Sequence, residues 1–105
     1  MKGIIVEESL VDRKVLSRLQ ILKSWEDDGY MLHDVLIDES SIKDVQAALA
    51  SGPWYVHFWE GDDITIVYKE KIFQTKKGDK TTWTDAIAYG ESLGIPDHEL
   101  TFITD

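Results

Sequence analysis

Few side chains in this sequence can do chemistry, and their spacing decides what they can do. There are three imidazoles, His33, His57 and His98. Near neutral pH such groups move protons or bind metals. No two of them have the i,i+4 spacing or the short strand spacing that zinc-binding pairs use. Cysteine is absent, which removes disulfides, zinc thiolates, iron–sulfur ligation and thiol nucleophiles. Acidic residues cluster at Glu26-Asp27-Asp28 and around Gly61 at Glu60, Asp62 and Asp63. Neither cluster has the alternating oxygen ligands and closing glutamate of a calcium loop, and both read as solvated turns. None of the serines sits in a Gly-x-Ser-x-Gly elbow, and the seven glycines are scattered singly, so no phosphate-cradling loop is present. The sequence therefore assigns no catalytic residue, no metal ligand and no cofactor. Enzyme chemistry would require a constellation that only the fold assembles. Such an enzyme would be small-molecule or metal-assisted, with a pocket near His57.

The richer signal is aromatic. Pro53–Thr75 holds six of the eleven aromatic residues. Trp54, Val56 and Phe58 alternate with Tyr55, His57 and Trp59, so a strand here is apolar on one face and aromatic on the other. Tyr55, His57 and Trp59 form a candidate binding face, since amphipathic aromatics are enriched at interface cores. Either another part of the chain covers that face or it is a contact surface. The leading function is a non-catalytic protein-interaction or self-associating module using this strand. Its partner would be a second copy, making a homodimer, or another protein.

Elements to position this strand follow along the chain. Lys2–Glu8 reads as a strand buried on both faces. Ser9 and Asp12 suggest a capped helix running to about Arg18. Gln20–Glu26 and Tyr30–Asp38 form a hairpin around Asp27-Asp28-Gly29. Ile42, Val45, Ala48 and Leu49 form the stripe of a helix with Ser40 or Ser41 as cap, ended by Gly52-Pro53. Trp54–Trp59 and Ile64–Lys69 form a second hairpin. A three-residue loop would set Phe58 opposite Ile66 and Val56 opposite Tyr68, segregating a core face best. Lys71–Thr75 returns as a strand. Thr81 or Thr82 caps a helix bearing Trp83, Ala86, Ile87, Gly90 and Leu93, stopped by Gly94. Glu99–Thr104 completes the order as a last strand. The order is β-α-β-β-α-β-β-β-α-β. It predicts an α+β domain, a single antiparallel or mixed sheet with amphipathic helices packed on one face.

One domain suits 105 residues, of which 43% are hydrophobic and 30% charged. A chain of this size buries about 65% of the surface its unfolded form exposes. The N-terminal apolar run is too short for a signal peptide and no stretch reaches a membrane span, so a soluble cytoplasmic protein is expected. The net charge of −9 repels phosphate backbones and anionic membranes. Lys69–Lys80 is locally basic and is the one segment open to weak nucleic-acid contact; turn chemistry at Lys77-Gly78-Asp79 reads it as a solvated hairpin end.

Several runs of the second half form a recognisable set: Trp54-Tyr55-Val56-His57-Phe58, Ile66-Val67-Tyr68-Lys69, Lys71-Ile72-Phe73, Thr82–Gly90, Ser92-Leu93-Gly94-Ile95-Pro96, Glu99-Leu100 and Phe102. In these residues the chain resembles a family of small uncharacterised bacterial and archaeal proteins. Ile4–Leu10 is similar too. The resemblance implies a compact domain and carries no activity or site residue with it.

Overall fold

The computed structural model describes residues 1–104. Six strands, β1 (Lys2–Val6), β2 (Gln20–Asp27), β3 (Tyr30–Leu36), β4 (Tyr55–Glu60), β5 (Asp63–Tyr68) and β6 (Ile72–Lys76), form one sheet. Its spatial order is β2-β3-β1-β4-β5-β6, and every neighbouring pair is antiparallel. Among the described residues two helices complete the framework, α1 (Ile42–Ala48) and α2 (Thr84–Ser92), together with five short 3-10 turns. The α+β class and the antiparallel sheet agree with the sequence reading.

The β2–β3 and β4–β5 hairpins each close on a two-residue loop. Asp28 and Gly29 have φ of 51° and 84°. Two consecutive positive values define the mirror-image turn that Asp-Gly favours and that matches strand twist. In the second hairpin, Gly61 has φ of 58° at the first central position. That loop puts Trp59 opposite Ile64, His57 opposite Ile66 and Tyr55 opposite Tyr68. The expected three-residue loop, with Phe58 opposite Ile66, is therefore corrected. Segregation into one core face was the wrong criterion, because this half of the sheet is buried on both faces.

The two cores lie on opposite sides. Val56, Phe58 and Val67 join Ile5 and Val35 beneath Ile42, Val45, Ala48 and Leu49 of the α1 region. Alternate residues Trp59, Ile64, Ile66 and Tyr68 join Trp83 and Ala86 of the α2 region with Ile95, Leu100 and Phe102. Helices thus pack on both faces, not on one as the sequence pattern suggested. Successive side chains of a strand point to opposite faces, and here both sets are apolar.

Three local expectations also change. The helix expected from Ser9 is replaced by two 3-10 turns, Glu7–Ser9 and Arg13–Arg18. Ser9 is buried and its hydroxyl donates to the Val6 carbonyl at 2.6 Å, while Asp12 caps the second turn by accepting from the Lys14 N–H. Ahead of α2, Asp79 caps by accepting from the Thr81 N–H at 3.1 Å, the role expected of a threonine. In place of the last strand, Asp97–Glu99 is a 3-10 turn and residues 100–104 have no regular structure. Phe102, with φ of 46°, breaks the extended path there.

Two glycines are set by close approach. A Cβ on Gly3 would lie 2.1 Å from Phe58 Cδ1 and 2.9 Å from the His57 carbonyl oxygen. A Cβ on Gly90 would lie 2.6 Å from the Tyr68 hydroxyl and 2.7 Å from Leu100 Cδ2. The Tyr68 hydroxyl donates to the Ala86 carbonyl at 2.7 Å across this gap, fixing α2 to β5. Gly3→Ala and Gly90→Ala are each expected to destabilise by about 3 kcal/mol, as overpacking does. Thermal unfolding followed by circular dichroism should show each Tm falling by more than about 10 °C. An unchanged Tm in both variants would contradict the packing described.

Candidate functional site

Tyr55, His57 and Trp59 do share one face of β4, as their alternation requires. They do not form an open surface. His57 stacks on Trp59 with ring centroids 5.2 Å apart, and Tyr55 meets the edge of Phe102 at 5.4 Å. Phe102 in turn packs on Trp83 at 5.4 Å. The His57 Nε2–H donates to the Ile103 carbonyl at 2.7 Å, and the Tyr55 hydroxyl donates to the Glu99 carbonyl. His57 and Trp59 are 7% and 8% exposed, and Tyr55 is half-buried. The aromatic face is covered by residues 99–103 of the same chain. The sequence reading offered this as one alternative, and it removes the three residues as a free interface.

Burial shifts the titrations of this cluster. Loss of water pushes the Tyr55 hydroxyl up to about 12, with the Glu99 carboxylate adding to the effect. Loss of water also lowers the His57 pKa, partly offset by its bond to the Ile103 carbonyl. His57 thus has its Nε2–H satisfied by the backbone carbonyl of Ile103. Among the described residues, no group of three His, Asp or Glu side chains could hold a metal ion. Two shallow depressions are lined by Met1, Lys2, Leu36, Trp59, Glu60 and Gly61, and by Met1 with Arg18–Gln20, Leu36–Asp38 and Ser41. Neither reaches His57, so the pocket required by the enzyme alternative has no counterpart in them. His98 is exposed in a turn far along the chain from the other two.

The basic run is committed locally. Lys69 Nζ donates to the Ala47 carbonyl at 2.7 Å, at the C-terminal end of α1, where a cation is favoured. Lys76 pairs with Asp63. Lys71 lies over Phe73 and Tyr89, and Lys80 lies over Trp83 at 5.5 Å. Each of these four cations is engaged in a separate contact within the chain.

One polar cluster went unread in the sequence. Ser24 Oγ is 2.7 Å from His33 Nδ1, His33 Nε2 is 3.1 Å from Glu7 Oε1, and Arg13 bonds the other Glu7 oxygen at 3.2 Å. The signal was available: a two-residue turn at Asp28-Gly29 sets Ser24 opposite His33. The order serine–imidazole–carboxylate is a proton relay in outline. Ser24, however, lies on an exposed edge strand outside both depressions, so the cluster ties β2, β3 and the Glu7–Ser9 turn together.

The two sheet edges differ. Along β6, residues 77–83 fold back: Lys76 accepts the indole N–H of Trp83 at its carbonyl and donates its own N–H to the Thr82 hydroxyl. Along β2, every residue except the half-buried Trp25 is exposed, with Ile21 at 42% and Leu22 at 46%. The neighbouring face continues through Leu32 and Val6, both half-buried, and exposed Tyr30 and Leu36. Neither helix cluster includes a β2 residue. No family model, curated protein or solved structure matches the chain, and no helix among the described residues is long and apolar enough to cross a membrane. The family resemblance drawn from residues 54–58 and 82–96 stands on those motifs alone.

Because the native His57 pKa lies below its ordinary 6.5, the unfolded chain binds a proton that the folded chain refuses. Stability then falls as pH drops through about 6.5 toward the native value. Glu8, held below the usual carboxylate range by the Met31 N–H, acts only below about 4.5, in a separate window. Urea unfolding between pH 7.5 and 5 should show a shallower loss in His57→Gln than in the wild type. Identical slopes would mean that His57 does not titrate as its surroundings dictate.

Proposed function

We propose that this domain is a non-catalytic self-associating module and that its contact element is the β2–β3 hairpin. The observation that carries this reading is an eight-residue edge strand, β2, exposed along its length beside an apolar sheet face. An edge strand presents a row of unpaired N–H and C=O groups, and such edges template pairing with another strand unless covered or charged. Here the opposite edge is folded over and this one is not. Ile4 packs against the core of Trp59 and Ile66, and on the same side Val6, Leu32, Trp25, Leu36 and Tyr30, the last edge-on to Trp54 at 6.1 Å, continue the apolar surface toward the open edge. Amphipathic aromatics at such a site contribute contact area at low entropic cost.

The aromatic strand keeps a role in this reading, as an internal brace. Tyr55, His57 and Trp59 hold residues 99–103 down and stiffen the sheet from which the hairpin extends. The charge of −9 on each copy opposes association at long range. At physiological salt the screening length is about 8 Å, so short-range contacts decide the outcome.

Sedimentation equilibrium from low to high micromolar concentration should show a reversible monomer–dimer equilibrium. Trp25→Ala should shift it toward monomer by about tenfold in Kd, with unchanged circular dichroism. A wild type that stays monomeric to millimolar concentration would end this reading.

A further inference from the structure

We propose that two copies join by antiparallel pairing of β2 with its symmetry mate, with Trp25 on the two-fold axis. The inference rests on the self-association reading and specifies its register. Two antiparallel strands related by a two-fold axis perpendicular to the sheet keep each face on its own side, so only residues of one face lie opposite each other. The bulge at Leu22 ends regular alternation on the N-terminal side. From there to the turn, Lys23, Trp25 and Asp27 oppose Asp34, Leu32 and Tyr30 on one face, while Ser24 and Glu26 oppose His33 and Met31 on the other.

Four registers are then available, centred on Lys23, Ser24, Trp25 or Glu26. Centring on Lys23 opposes two ammonium groups, and centring on Glu26 opposes two carboxylates. Centring on Ser24 draws the Leu22 bulge into the ladder and leaves the acids Glu26 and Asp27 opposite Leu22 and Ile21. Centring on Trp25 sets Lys23 opposite Asp27 of the mate, twice by symmetry, and Ser24 opposite Glu26. It uses only the regular segment between bulge and turn. Neither Lys23 nor Asp27 makes an ion pair within its own chain among the described residues. The Lys23 ammonium already lies over the Trp25 ring at 5.5 Å, on the face this register needs. The Val6–Leu32–Trp25 row would then run unbroken through the axis into its copy. A lysine and a bulge are devices that blunt an edge. In this register the lysine meets its counter-charge and the bulge stays outside.

The absence of cysteine makes the test direct. Trp25→Cys should form a disulfide-linked dimer under mild oxidation, because directly opposed Cβ atoms across an antiparallel pair lie within disulfide reach. Ser24→Cys and Glu26→Cys should each fail alone and cross-link when mixed. A second measurement leaves Trp25 in place. Lys23→Asp and Asp27→Lys should each weaken dimerisation roughly tenfold in sedimentation, and the double charge swap should restore it to within about threefold. A dimer that persists while cross-links appear at other positions, or a swap that fails to rescue, overturns the register and leaves self-association standing. A monomer with no cross-links at any of the three positions overturns both.

Discussion

A strand buried on both faces has no polar side with which to meet water, and β4 and β5 are such strands. Their even and odd side chains enter different cores, so each face must be roofed by other parts of the chain. One roof is α1 with the Arg13–Arg18 turn; the other is α2 with the Leu100–Phe102 segment. The tolerances follow from this. Phe58 fits because Gly3 has no Cβ, and α2 comes close enough to bond Tyr68 because Gly90 has none. Two short helices are enough for this half of the sheet. The hairpin half receives one roof only, and the free edge is what remains.

Much of the architecture was legible in the residues. Asp28-Gly29 announced its hairpin, and the Ile42–Leu49 stripe announced α1. Gly94, with φ of 89°, stopped α2 where expected. What failed were inferences built on a half-solvated sheet. Alternation of Trp54, Val56 and Phe58 with Tyr55, His57 and Trp59 left two readings of the aromatic face, cover by the chain itself or a contact surface, and two-sided burial realises the first. The loop length after Glu60 followed the same error. The terminal residues failed for a different reason: alternation of Leu100 and Phe102 marks burial, and burial without a ladder partner looks the same in one dimension.

The candidate site divides likewise. The grouping of Tyr55, His57 and Trp59 was readable from period two; their cover was not, because it comes from residues more than forty positions away. The Ser24–His33–Glu7 cluster needed the hairpin register and then a turn that folds Glu7 back. The open edge was the least visible feature. Gln20–Asp27 reads as an ordinary mixed strand, and only the sheet order shows that it lies outermost with nothing across from it.

The division into two cores also carries a temporal consequence. The cluster under α1 draws its buried residues from positions 5–67, whereas the other cannot close until Leu100 and Phe102 have been added. The second core therefore stays incomplete in any intermediate in which residues 99–103 are undocked, and Tyr55, His57 and Trp59 then meet water even with the α1 core formed.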